Sequence, residues 1–246
     1  MKARFSSVDH PEQFEFHDSH LKLYHADKNR ISVYAENLNI HKGTEQNPKK
    51  IDLEIKRAHI TFWDTSELTY EPGRVWKDDG HGNMVPVGPE IVFHGKEALD
   101  IIKKELKSGI EVFSHQIAES DRYIIDGSGI EPFFTITFKA RSLSVEWDKY
   151  SRPAWYELTK QSKGELVINT PDGEIRTEAH IITHYDQNEL FEADDPGKVV
   201  PIETSIGIKH SGKMYWGHGK DRFGKEALAD LYKKLPEGSV LGFSFA

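Results

Sequence analysis

The chain has no cysteine, so disulfides, thiolate metal sites and cysteine nucleophiles are excluded from the start. That absence also fits a reducing compartment. No stretch approaches the ~20 apolar residues a membrane-spanning helix requires. The opening "MKARFSSVDHPEQFEF" starts basic but carries no apolar run behind it, unlike a secretory signal. A soluble, cytoplasmic protein with no membrane contact is the expectation. Basic excess is missing too: 40 acidic against 32 basic residues give a formal charge of −8. Such a field repels phosphate backbones, so general nucleic-acid binding is not expected.

Catalytic and cofactor signatures are equally scarce. "DGSGIE" around Ser128 lacks the residue a nucleophile elbow places between its Ser and second Gly. "GNMVPVGPE" and "GHGKD" lack P-loop spacing, and the glycines of "GHGKDRFGK" do not follow the G-x-G-x-x-G dinucleotide fingerprint. The expected cofactor is none.

What the chain does contain is a near-repeat. "GKEALDIIKKEL" (Gly95–Leu106) and "GKEALADLYKKL" (Gly224–Leu235) share seven of twelve positions, against roughly one by chance. "KRAHITFWD" (Lys56–Asp64) is echoed by "RTEAHIITHYD" (Arg176–Asp186), each with Ala-His-Ile and then an aromatic-Asp pair. "ELTYEPGRV" meets "ELFEADDPGKV", "VPV" (Val85–Val87) meets "VPI" (Val200–Ile202), and "LKLYHAD" (Leu21–Asp27) faintly resembles "LSVEWD" (Leu143–Asp148). Anchors in one order predict a tandem duplication with a period of about 120 residues, the size of a small domain.

Leu99, Ile102 and Leu106, matched by Leu228, Leu231 and Leu235, stand at spacings of three and four. They predict one amphipathic helix per copy, with Ala98 and Ala227 beside the apolar stripe and Lys and Glu opposite. Gly109 and Gly238 suit a left-handed stop after each helix, and Pro236 reinforces the second. Elsewhere alternating and β-branched segments such as "RISVYAENLNIH", "FFTITFKARSLSVEW" and "GELVINT" read as strands. The expected fold class is therefore α+β, a predominantly antiparallel β unit with one helix and a final strand, written twice. The expected units are 1–120 and 130–246, docked about a pseudo-two-fold axis, with 121–129 as connector, although Tyr123–Ile125 could pair with a sheet edge.

Thirteen histidines raise the question of metal. His180 and His184 lie four apart in a strand-like run, which puts them ~13 Å apart on one face, too far for a shared ion. His17 and His20 have helical spacing in a segment that reads as strand and turn. No metal site is expected. His59 and His180 occupy matching places, and Asp64 and Asp186 follow each; a structural hydrogen bond is the plainer account of these histidines, ligand contact the sharper one.

The second copy carries about eight extra residues between its histidine and its helix, by the repeat alignment. They fall in "TSIGIKHSGKMYWGHGKDRFGK", with "KHSGK" as a hairpin turn. This places Tyr215, Trp216, His218, Lys220 and Asp221 before a helix N-terminus, a setting that favours ligand contact. Trp216 as simple sheet cover is the plainer alternative. The expected function is a binding or protein-interaction module using those residues and His59, with a small molecule or protein as partner. An alternative is an enzyme in a cleft between the units, with His180, His184, Asp186 and His218 as acid–base groups. A third is homo-oligomer assembly through exposed strand edges.

Overall fold

A computed structural model describes residues 3–119, 121–170, 173–210, 212–220, 224–235 and 240–243. The chain divides into two compact units, Met1–Ser151 and Arg152–Ala246. Antiparallel sheets and, among the described residues, three α-helices make the fold class α+β. Among the described residues no helix is long and apolar enough to cross a membrane.

The first unit holds β1 (Phe5–Val8), β2 (Phe14–Glu15), β3 (His20–Ala26), β4 (Arg30–Glu36), β5 (Leu38–Ile40), β6 (Leu53–Ile55), β7 (Ala58–Trp63) and β8 (Ser66–Pro72). There follow β9 (Val75–Asp78), β10 (Met84–Val87), β11 (Phe93–His94), α1 (Gly95–Ser108), β12 (Ile110–Ala118), β13 (Arg122–Ser128), β14 (Phe134–Lys139) and β15 (Ser142–Trp147). The unit boundary falls within β16 (Tyr150–Pro153).

Ten of these strands form one sheet in the order β1-β15-β7-β4-β3-β12-β13-β14-β8-β11. β7 and β8 are joined by Asp64–Thr65 alone, yet stand six places apart in that order. Six strand spacings would span about 29 Å in a flat sheet, whereas a two-residue link reaches about 10 Å. The sheet therefore curls back on itself around α1. Packing agrees: Ile102 and Leu106 of α1 share one small cavity lining with Leu21, Ile31 and Val33 on one side and Ile125, Ile136 and Phe138 on the other. Every residue of the predicted helical stripe is buried. Gly109 ends α1 at φ 100°, a conformation that favours glycine. A second, four-stranded sheet (β16-β6-β5-β2) flanks this body, with β9 and β10 forming a separate two-stranded ribbon.

The expected connector lies elsewhere. Residues 122–128 are β13, paired along its length with β12 and β14 in the interior of the sheet. Its alternation of Tyr123, Ile125 and Gly127 inward is a strand pattern that the flanking "SD" and "GSG" turn residues obscured. β14 and β15, assigned by sequence to a second copy, complete the first unit's sheet, and the division falls at Ser151/Arg152.

The second unit contains β17 (Thr159–Thr170), β18 (Gly173–His184), α2 (Gln187–Glu192), β19 (Glu203–His210), β20 (Lys213–Gly219), α3 (Lys225–Lys234) and β21 (Val240–Phe243). Its sheet order is β20-β19-β18-β17-β21, antiparallel throughout. Leu166, Ala179, Ile206 and Ile208 form a core with Ala227, Leu228, Leu231 and Leu235, the predicted helical stripe. Gly238 and Pro236 lie outside the described residues.

The two dodecamers thus form α1 and α3, each packed on a sheet. The other paired stretches fall on unlike elements. Ala58-His59-Ile60 opens β7, whereas Ala179-His180-Ile181 lies late in β18. Pro72-Gly73 ends β8, whereas Pro196–Lys198 is a 3-10 turn; Val85–Val87 is β10, whereas Val200–Ile202 is neither helix nor strand. Leu143–Asp148 belongs to the first unit. The tandem duplication is not confirmed by these positions, because short turn and strand motifs recur in any β-rich chain.

Candidate functional site

In an antiparallel sheet, residues directly opposite share a face and successive residues alternate. That rule sorts the candidates. His180 stands opposite Lys163 on β17 and Gly207 on β19, and Gly207 stands opposite Trp216 on β20. Ile182, Ser205 and His218 form the next row, and His184 lies opposite Glu203 and Thr159. Trp216, His180, His184 and His218 therefore share one face. Tyr215 projects to the other, opposite Ile208, and packs against the helix-covered core.

The helices of the unit decide which face stays open. Gly217, on Tyr215's face, lies so close to α3 that an added Cβ would come 1.9 Å from the Ala227 carbonyl oxygen. α3 therefore covers that side, and the groove beside Trp216 opens on the other. The indole of Trp216 lies flat over Gly207, where an added Cβ would sit 2.7 Å from three ring carbons. Together with Lys163, His180, Ile182 and Met214 it bounds an open groove of about 450 Å³. Lys163 Nζ donates to both oxygens of Glu178, at 3.0 and 3.2 Å, and His180 Nε2 is 3.4 Å from Glu178 Oε1.

The remaining candidates are tied into the scaffold. His218 Nδ1 shares a 2.8 Å hydrogen bond with Ser205 Oγ, and Glu203 Oε1 lies 3.8 Å from the same nitrogen. A relay needs the hydroxyl and the carboxylate on opposite ring nitrogens, so this trio is not arranged as one. His184 Nδ1 pairs with Thr159 Oγ1 at 3.1 Å. Asp186 caps α2, its Oδ1 accepting from the amides of Asn188 (2.9 Å) and Glu189 (3.0 Å), as a short polar residue at that position does. Strand geometry keeps His180 and His218 about 12 Å apart between Cα atoms.

Tyr215, Trp216 and His218 lie on β20, which pairs with β19 as far as Gly219. Lys220 follows the strand, and its amide donates to Glu226 Oε2 at 2.8 Å. Asp221 lies outside the described residues. Met214, Ile182 and Glu178 escaped the sequence reading; strand alternation, which sets each two residues from Trp216 or His180 on the same face, was the signal available.

His59 belongs to the first unit, on the outer face of β7. Tyr24 meets its ring edge-on at 4.7 Å and Tyr34 lies at 5.4 Å, with the Arg57 guanidinium 4.0 Å over Tyr34. Its Nδ1 is 3.7 Å from Glu146, and its Nε2 is buried without a hydrogen-bond partner. Among the described residues, no three His, Asp or Glu side chains converge as a metal site. Compared with models of protein families, with curated proteins and with solved structures, the chain matches none.

Proposed function

We propose that the chain is a binding protein, and that the open groove on the Trp216 face of its second unit is the surface it uses. One observation carries this reading: Trp216, a large aromatic, is laid over Gly207 at the open groove with His180, Met214 and Ile182 around it. An aromatic at an open groove offers apolar contact area at low conformational cost, with polar groups at its margin to orient a ligand. Acid–base catalysis has less support, because the nearby histidines are separated and engaged by different partners.

We also infer a shared origin for the two units. In each, the strand after the helix pairs with the first strand of a three-strand series, giving β12-β3-β4-β7 and β21-β17-β18-β19. This common order, with the matched helical stripes, supports the duplication where the shorter sequence anchors do not.

Native mass spectrometry of freshly purified wild-type chain and Trp216→Ala, each against its denatured mass, tests the binding reading. Wild type is expected to carry extra mass, lost on denaturation and absent from the variant. Trp216→Ala should cost stability by no more than about 2 kcal/mol, as for a half-covered surface ring. Equal masses for both proteins would count against this face.

A further inference from the structure

The outer face of the first unit carries a second groove, of about 420 Å³, lined by none of the site residues expected from the sequence. Its floor comes from one cross-strand row, in which Asp126, Thr135 and Glu71 line the groove and Ser114 stands opposite Asp126, on β13, β14, β8 and β12. Its walls are aromatic. Phe113 is turned outward at the bulge between Val112 and Ser114, and Phe133 comes from the loop before β14, their rings 5.8 Å apart at 47°. Trp76, from the β9 ribbon, lines the groove as well. All three are exposed, Phe133 by 61% and Trp76 by 53%. Such exposure of neighbouring large aromatics is characteristic of a binding surface.

The electrostatics of the floor narrow the ligand. Ser114 Oγ and Thr135 Oγ1 each donate to Asp126, at 2.6 Å, one to each carboxylate oxygen. With those protons turned inward, the floor offers acceptors and negative charge to whatever lies above it. Among the described residues the one cation on the lining, Arg74, is 2.5 Å from Glu90 and 3.7 Å from Glu71. Two lining carboxylates (Glu71 and Asp126) thus stand against one guanidinium that Glu90 also neutralises, and the groove is net negative. Anionic ligands are disfavoured there. A primary ammonium is strongly hydrated and needs open acceptors to replace its water, whereas Asp126 already takes two short hydrogen bonds. A methylated ammonium holds its water weakly, and its positive methyl surface is attracted to aromatic faces over a negative floor.

We propose that this groove binds a methylated ammonium group, held among Trp76, Phe113 and Phe133 above the Asp126–Glu71 floor. The chemistry is shared by free quaternary amines and by trimethyl-lysine side chains of a protein partner.

Titration of the full chain, followed by the Trp76 indole N–H signal in NMR, tests it. Trp76→Phe assigns that signal. Choline is the first probe; ethanolamine presents the unmethylated ammonium, and 3,3-dimethylbutanol has the same shape without charge. Choline is expected to bind roughly tenfold more tightly than either, the scale of a desolvated cation–π contact. Phe133→Ala should weaken it by a similar factor; because Phe133 is mostly exposed, the variant should keep its wild-type melting temperature, and Glu71→Gln provides a second surface change that should weaken choline while preserving the fold. A peptide carrying trimethyl-lysine, beside its unmodified form, distinguishes the sources. Tighter binding of the modified peptide than of choline identifies a protein partner, and the reverse a small molecule; either supports the proposal. No saturable shift of the Trp76 signal up to about 10 mM of any methylated probe would overturn it. So would equal binding of the neutral isostere, or binding indifferent to both variants.

Discussion

α1 and α3 present the same apolar stripe, yet they are seated in different ways. α1 rests on side chains of β3 and β8, segments without a glycine, inside a sheet that curls around it. α3 lies directly on the backbone of β20, through Gly217 and Gly219. On the opposite face of the second unit's five-stranded sheet an open groove remains, which is where Trp216 lies. A helical stripe therefore specifies that a helix will be buried, while the strand beneath decides how closely, and the extent of the sheet decides what is left open.

Gly217→Ala is the most severe way to break this contrast. The new Cβ would meet the backbone of α3, 1.9 Å from Ala227 O and 2.5 Å from Leu231 N. The helix would have to lift off its sheet, at about 3 kcal/mol, the upper range for overpacking. Hydrogen exchange should show protection lost in 159–243 while β12–β14 keep theirs. Unchanged protection of α3 would mean that its close seat is not required.

The matched helical position Glu105/Lys234 sharpens the comparison. Glu105 is buried and accepts from Tyr70 Oη (3.2 Å) and from the amides of Ile130 (2.7 Å) and Glu131 (3.2 Å), pinning the loop before β14 to α1. Burial, followed by the charge of Glu105, holds the Tyr70 hydroxyl well above its ordinary range, so it remains a donor. Lys234 is exposed and reaches Trp216 O at 2.9 Å and Asp230 at 2.7 Å. Glu105→Ala would strand buried donors, with an expected loss of about 2–3 kcal/mol in urea unfolding. Lys234→Ala should cost under about 1 kcal/mol. Similar losses would contradict the two seatings.

A smaller effect concerns pH. His115 of β12 stacks on Phe16, 4.2 Å between ring centres, and its Nε2 is buried without a partner. Burial pushes its pKa down to about 4, against a minor opposing pull from Glu15. The unfolded imidazole titrates near 6.5, so between these values the unfolded chain binds more protons. The stability tied to a neutral His115 is present above about pH 6.5 and is lost as pH falls toward 4, by about 1–3 kcal/mol. Urea midpoints measured from pH 7 to 4 should fall less steeply for His115→Phe than for wild type, and identical slopes would refute the assignment.

Local sequence determined a good deal of this. The spacing of Leu99, Ile102 and Leu106 and of Leu228, Leu231 and Leu235 set two helices and the face each buries, because helical periodicity is written within a few neighbouring residues. Strand composition set the α+β class, and "KHSGK" marked the hairpin between β19 and β20. Alternation likewise fixed that Tyr215 and Trp216 point to opposite faces. Tertiary structure alone decided which of those faces α3 would cover. It also placed β13 in the sheet interior where turn residues suggested a linker, curled the first sheet so that β7 and β8, six places apart in its order, stay within reach of a two-residue link, and brought Trp76, Phe113 and Phe133 around Asp126. Each of those outcomes depends on strand partners and register, and the groups that select them lie tens of residues away along the chain, beyond the reach of any local pattern.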